Sequence, residues 1–175
     1  VNTRFDVPHS RFNQVDRSQF EAAGLHVLVE SEQAGVHLAV SADGFRIVFF
    51  QGHPEYDTVS LLKEYKREVA RFSKGERPDY PPLLDNYFSL KAQAILDEHR
   101  ERVVAAHAQG KVVPEFPETL ISAGLDNTWH DTAEAVIDNW VGKVYQLTSV
   151  DRKLPFQPGI DPNDPLGLRR DVTRA

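Results

Sequence analysis

The sequence predicts an α/β fold in which strands lead to a histidine-bearing corner and helices follow it. Three observations carry this expectation. The run Phe45-Arg46-Ile47-Val48-Phe49-Phe50 is rich in Phe, Ile and Val, reads as a buried strand, and stops abruptly at Gly52-His53-Pro54-Glu55. Asp43-Gly44, immediately before it, is a strong hairpin turn signal. After the corner, apolar residues recur at Leu62, Tyr65, Val69 and Phe72, the spacing of a helix packed on one face.

The elements follow in order. Pro8-His9-Ser10-Arg11-Phe12-Asn13 reads as a polar loop, and Asp16 to Ala23 as a short helix that Gly24 ends. Leu25 to Glu30 and Val36 to Val40 are β-rich, with Ser31 to Gly35 as the turn between them; the strand from Phe45 is the third, and at least the last hairpin is antiparallel. Asp57 or Thr58 can cap the next helix, which runs to Ser73. On its wheel, Asp57, Ser60, Glu64 and Arg67 share a second face, with Glu64 and Arg67 about one turn apart.

Three prolines and a glycine between Gly75 and Pro82 break that helix. Leu90 to Ala108 reads as a half-exposed helix, with Ile95, Leu96, Val103 and Val104 among its few large apolar positions. Val112 to Pro117 is extended. A last helix is expected from about Asp131 to Gln146, with Ala135, Ile137, Trp140, Val141 and Val144 apolar. From Asp151 onward, four prolines and little periodicity predict a surface-hugging or disordered tail.

At 175 residues, the chain can bury the core of one domain. It begins at Val1 and contains no Met, so Val1-Asn2-Thr3-Arg4-Phe5 reads as the interior of a longer polypeptide. Twenty basic against twenty-six acidic side chains leave a net charge of −6, which disfavours phosphate neutralisation and hence nucleic acid as a partner. The absence of cysteine removes disulfides, thiolate metal sites and a Cys nucleophile from these residues. No apolar run approaches 18 residues and no signal pattern opens the chain, so no membrane is expected and a cytoplasmic location is.

His53 and Glu55 are the candidate catalytic residues. Two apart in extended chain, they project to one side, where the carboxylate can orient one imidazole nitrogen while the other acts as a base. The same spacing fits a surface histidine beside an accidental acid; Gly52 and Pro54 favour a specially shaped corner. Glu64 and Arg67 fit either an exposed helical ion pair or a clamp for a zwitterion, the Arg on a carboxylate and the Glu on an ammonium. Ser10 can be a nucleophile, a substrate-orienting hydroxyl or an ordinary turn residue, and no G-x-S-x-G context surrounds it. His9, His26, His37, His99, His107 and His130 show no metal spacing and read as structural or exposed; no metal is expected.

Taken together, Pro8-His9-Ser10-Arg11, the segment Gly52 to Asp57 with Leu62, Glu64, Tyr65 and Arg67 behind it, and Asn139-Trp140 with Val144-Tyr145-Gln146 resemble the C-terminal half of the homoserine O-succinyltransferase and O-acetyltransferase family. The resemblance covers about residues 5–72 well and 129–151 loosely. It implies a fold similar to the class I glutamine amidotransferases, a flavodoxin-like three-layer arrangement of which residues 1–150 form the C-terminal part. In that arrangement 73–128 forms an enlarged helical insertion and 151–175 a Pro-rich tail. It also implies acyl transfer from acyl-CoA to a cysteine and then to the homoserine hydroxyl, at the entry to methionine synthesis. In that scheme His53 is the general base and Glu55 its orienting partner. Arg67 holds the amino acid's carboxylate, Glu64 faces its ammonium, and Ser10 lies against the substrate.

No cofactor beyond acyl-CoA as substrate is implied. The expected partners are an N-terminal part carrying the Cys nucleophile and a second copy in a homodimer. Two departures stand out: 72–129 is longer than the family usually has there, and Thr148-Ser149-Val150-Asp151 replaces a Thr-Pro-Tyr-Asp. Succinyl transfer is preferred over acetyl. The rival readings are an amidotransferase-like hydrolase on the same fold and a non-catalytic domain that binds an amino acid.

Overall fold

A computed structural model describes residues 4–168. It contains both strands and helices, in the order α1 (Arg17–Ala22), β1 (His26–Ser31), β2 (Gly35–Val40), β3 (Val48–Phe50), α2 (Ser60–Ser73), α3 (Leu90–Ala108), α4 (Glu118–Ser122) and α5 (His130–Leu147). The chain forms two compact units. One holds the residues up to Glu55 and again from Trp129 onward; the other is Tyr56–Thr128.

In the first unit, β1, β2 and β3 form an antiparallel sheet in sequence order, with Leu38 opposite Phe50 and Val40 opposite Val48. The central strand β2 is buried from Val36 to Val40, which explains its nearly continuous apolar run. Helix α1 lays Phe20 against Val36 and Ala39. It starts where Asp16 donates its N–H to the Gln19 side chain at 2.9 Å, and it gives way at Gly24, whose φ of +74° suits glycine.

The third strand is shorter than expected, three residues rather than the whole run from Phe45. Asp43 is the reason. Its Oδ1 accepts from the Ser41 hydroxyl at 2.7 Å and from the N–H groups of Phe45 and Arg46 at 3.0 Å, winding residues 41–47 into a broad loop. Phe45 is thereby turned into the core, and the Trp140 indole N–H of α5 donates to its carbonyl at 3.1 Å. A tight two-residue hairpin is thus replaced by a side-chain-organised loop.

Helix α5 lies within a residue of its expected limits, but its inner face differs. Thr132, Ala133, Val136, Trp140 and Val144 are half-buried, while Ile137 and Val141 remain 38% and 37% exposed. After it, residues 151–168 run as turns within the first unit. Phe156 is buried with its ring 6.1 Å from that of Phe45, and Arg46 stands 5.3 Å over its face and donates to the Pro162 carbonyl. Burying one such ring stabilises the unit by about 1.5–3 kcal/mol, enough to hold the segment to the surface. Residues 169–175 of the expected tail lie outside the described residues.

The second unit is helical. Helix α2 begins at Ser60, one to two residues later than a cap at Asp57 or Thr58 would start it, and Val59 stands at its N-cap without a side-chain bond. The Tyr87 hydroxyl serves instead: it accepts from the Leu62 N–H at 3.3 Å and donates to the Thr58 carbonyl at 2.5 Å. Leu62, Tyr65 and Val69 pack with Phe88, Ala92, Leu96 and Ile121, so the spaced apolar face of α2 is the core face, as expected. Helix α3 has the expected limits and is capped by Ser89, which accepts from the Ala92 N–H at 3.2 Å. Helix α4 was not foreseen; it is five residues long and buries Ile121 completely.

Candidate functional site

The corner is built by the chain that leaves β3. Gln51 continues the ladder by donating its N–H to the His37 carbonyl at 2.9 Å, and its side chain bonds Val15 and Val36. The chain then meets the loop before α1: the His53 N–H donates to the Pro8 carbonyl at 2.7 Å. Gly52 is needed here for space. A Cβ at that position would stand 2.6 Å from Cγ1 of Val7, 2.7 Å from Nδ1 of His37 and 3.0 Å from Nε2 of His9. The expectation of a specially shaped corner holds, and close approach of three neighbours is its cause.

On this platform His53 Nδ1 lies 2.9 Å from Oε1 of Glu55, and Nε2 lies 3.0 Å from the backbone carbonyl of Ser10. Both partners are acceptors. A neutral ring donates to one of them at a time, and an imidazolium to both. The form that a base reaches after taking a proton is therefore the form these two acceptors satisfy together. Ser10 acts on His53 through its carbonyl, a contact that its residue type did not signal.

Glu64 and Arg67 lie on α2, in the other unit, one turn apart as expected. Glu64 is half-buried and accepts from the Tyr56 hydroxyl at 2.8 Å, while Arg67 is exposed and lies 3.5 Å from Glu68. Glu68 also pairs with Arg71 at 3.3 Å and Arg77 at 3.0 Å, so this carboxylate has other cations to hold it. A guanidinium so loosely engaged can turn to a ligand carboxylate at little cost.

Two histidines read as structural or exposed stand at the corner. His37, buried in the centre of β2, packs its ring 5.7 Å from that of His9 and 5.5 Å from Phe50; its Nδ1 has no hydrogen-bond partner among the described residues. Burial lowers its imidazole below the usual 6.5. His9 is held down to about 4 by burial first, then by the positive charge of Arg11 and by His37 and His53. Arg11 donates to Nδ1 of His9 and to the Ala34 carbonyl, and at 3.2 Å to Gln14. A polar residue inside a buried strand run, Val36-His37-Leu38-Ala39-Val40, was the sequence signal for His37.

Among the described residues, no three His, Asp or Glu side chains converge as metal ligands would, and no helix is long and apolar enough to cross a membrane. A histidine held between a carboxylate and a carbonyl is an arrangement that can serve proton transfer.

Comparison with known proteins places the chain in a family. The family model for homoserine O-succinyltransferase matches residues 1–150. The chain is 70% identical over 168 residues to the homoserine O-succinyltransferase of Allochromatium vinosum, covering 96% of this chain and 47% of that protein. It is 66% identical over 170 residues to the enzyme of that name from Nitrosococcus oceani, covering 97% and 48%. The corresponding figures for the Thioalkalivibrio nitratireducens enzyme are 65% over 170 residues, 97% and 48%. The chain thus spans about half the length of the curated relatives it matches, and it belongs to the homoserine O-succinyltransferase family.

Proposed function

We propose that this chain supplies the proton-transfer residues and the acceptor-binding helix of a homoserine O-succinyltransferase, acting in methionine synthesis in the cytoplasm. The observation that carries the reading is the His53 ring held between the Glu55 carboxylate and the Ser10 carbonyl, in a chain 65–70% identical to enzymes of that name. The fold completed by the remainder of the polypeptide is the three-layer class I glutamine amidotransferase-like one. The described strands form an antiparallel sheet of three, to which the remaining polypeptide would add its own strands.

The chemistry follows from the groups present. A cysteine on the remaining polypeptide is the nucleophile, and His53 takes its proton while Glu55 holds the ring. The thiolate attacks the thioester carbonyl of succinyl-CoA, the C–S bond to CoA breaks, and CoA leaves with that proton. The enzyme is left as a succinyl thioester. His53 then takes the proton of the homoserine hydroxyl as its oxygen attacks the acyl carbon, releasing O-succinylhomoserine and restoring the thiol. Arg67 holds the homoserine carboxylate and Glu64 its ammonium. Ser10 lies against the substrate, and two copies associate in the working enzyme.

The test is a panel of homoserine and serine against succinyl-CoA and acetyl-CoA on the full-length enzyme. Succinyl transfer to homoserine is the expected dominant activity. Dominant acetyl transfer would change the donor, release of ammonia from glutamine would point to an amidotransferase-like hydrolase, and amino-acid binding without turnover would point to a non-catalytic domain.

A further inference from the structure

Three imidazoles meet around Gly52: His53 beside it on the chain, and His9 and His37 pressed against its open face. Such a cluster has a chemical difficulty. A base that gains a proton during each turnover works poorly if a neighbouring ring of similar basicity competes for that proton or is already charged. The structure contains a group placed to prevent this. Arg11 donates through one guanidinium nitrogen to Nδ1 of His9, so that nitrogen must carry its lone pair and the ring proton sits on Nε2. Through its other terminal nitrogen Arg11 donates to the Ala34 carbonyl in the β1–β2 turn.

The same loop holds His53. Pro8 accepts from the His53 N–H and Ser10 from Nε2 of its ring, so residues 8–11 carry both the acceptors that fix His53 and the cation that fixes His9.

We propose that Arg11 is a positioning residue for His53: it locks His9 as a neutral Nε2–H tautomer and ties the loop bearing the Ser10 carbonyl to the sheet, leaving His53 as the imidazole that takes the proton. The groups facing His9 are Arg11 on its own loop, His37 from β2 and His53 from the corner. All three are basic, so the local field opposes a charge on His9 in addition to the lone-pair requirement. His37 sits inside a strand with no partner for Nδ1 among the described residues, and burial disfavours a charge on it. The proposal rests on His53 being the base of the proposed reaction.

The experiment uses the full-length protein with ring-15N-labelled histidine, and follows the ring nitrogens with pH in the parent, Arg11→Ala and Arg11→Lys, with His9→Asn to assign the His9 signals. In the parent, His9 is expected to remain a neutral Nε2–H tautomer down to pH 5. In Arg11→Ala it should begin to take a proton at least about one unit higher, and the His53 ring signals should move as a charge appears beside it. Arg11→Lys, which keeps the charge with one donor, should lie between the two. In parallel, Arg11→Ala should lower kcat roughly tenfold, most strongly below pH 6.5, with KM for homoserine changed less than about twofold.

A parent His9 that titrates normally, or an Arg11→Ala protein whose two rings and kcat are unchanged, would overturn the proposal. If the parent itself shows no acyl transfer, the functional reading fails, while the ring spectra still decide whether Arg11 governs His9 and His53.

Discussion

Glu55 orients His53 from the solvent side: its Oε1 is 2.9 Å from Nδ1, yet its side chain is 66% exposed while that of His53 is 32% exposed. Exposed ion pairs contribute about 0–1 kcal/mol to stability, so this contact serves ring orientation more than folding. Glu55→Gln should therefore leave the thermal midpoint nearly unchanged and lower kcat by roughly tenfold or more, because the amide no longer stabilises the protonated ring. A melting curve beside a kcat determination separates the two effects. Equal turnover in mutant and parent would remove Glu55 from the mechanism.

Arg67 calls for the opposite kinetic signature. It is exposed and only loosely engaged by Glu68 at 3.5 Å, so its loss should not disturb α2. If it holds the acceptor's carboxylate, Arg67→Ala removes a charge-assisted contact worth about 2–3 kcal/mol at most. KM for homoserine should rise by up to roughly 100-fold with a smaller change in kcat and none in KM for the acyl donor. A uniform loss in all three constants would argue for a structural role.

Gly52→Ala tests the corner's packing. The new methyl would lie 2.6 Å from Val7 and 2.7 Å from the His37 ring, neither of which is the free end of a flexible chain. Overpacking of this kind costs about 1–3 kcal/mol, and it should displace the loop bearing the Ser10 carbonyl. Chemical denaturation should show the loss in stability, and kcat should fall with it. Full stability in Gly52→Ala would mean that the corner has slack the geometry does not show.

Acid should destabilise the fold through its buried histidines. His9 is depressed to about 4 against an ordinary 6.5, and burial lowers His37 and His99 as well. The unfolded chain therefore binds more protons than the folded one between those values. Stability is complete above pH 6.5 and falls as pH drops toward 4. Discounted for the solvent screening of a half-buried ring, His9 accounts for about 1 kcal/mol of that fall. Replacing His9 with Asn should flatten the dependence measured by denaturant midpoints at pH 4.5 and 7; an unaltered slope would place the acid sensitivity elsewhere.

How far these features could be read from residues alone depended on the range of the interactions behind them. The corner was legible because Gly52 and Pro54 interrupt a β-rich run, and α2 because its apolar spacing persists over three turns. Helix α4 has only five residues, too few to display a period. The start of α2 depends on a hydroxyl 25 residues further along the chain, and the length of β3 on a single carboxylate that competes with the ladder. His53, Glu55 and Ser10 were identified as site residues and do come together, whereas His9, His37 and Arg11 enter only through tertiary contacts around a glycine. The inner face of α5 was misjudged because Ile137 and Val141 are apolar yet point away from the half-buried row.

Whether His53 is the base of an acyl transfer is decided by the rate of CoA release from succinyl-CoA in the presence of homoserine, compared between the full-length enzyme and its His53→Ala variant. The variant should lose at least about 100-fold in rate while keeping the circular dichroism spectrum and the denaturation midpoint of the parent. Turnover at the parental rate in the variant would exclude His53 as the base.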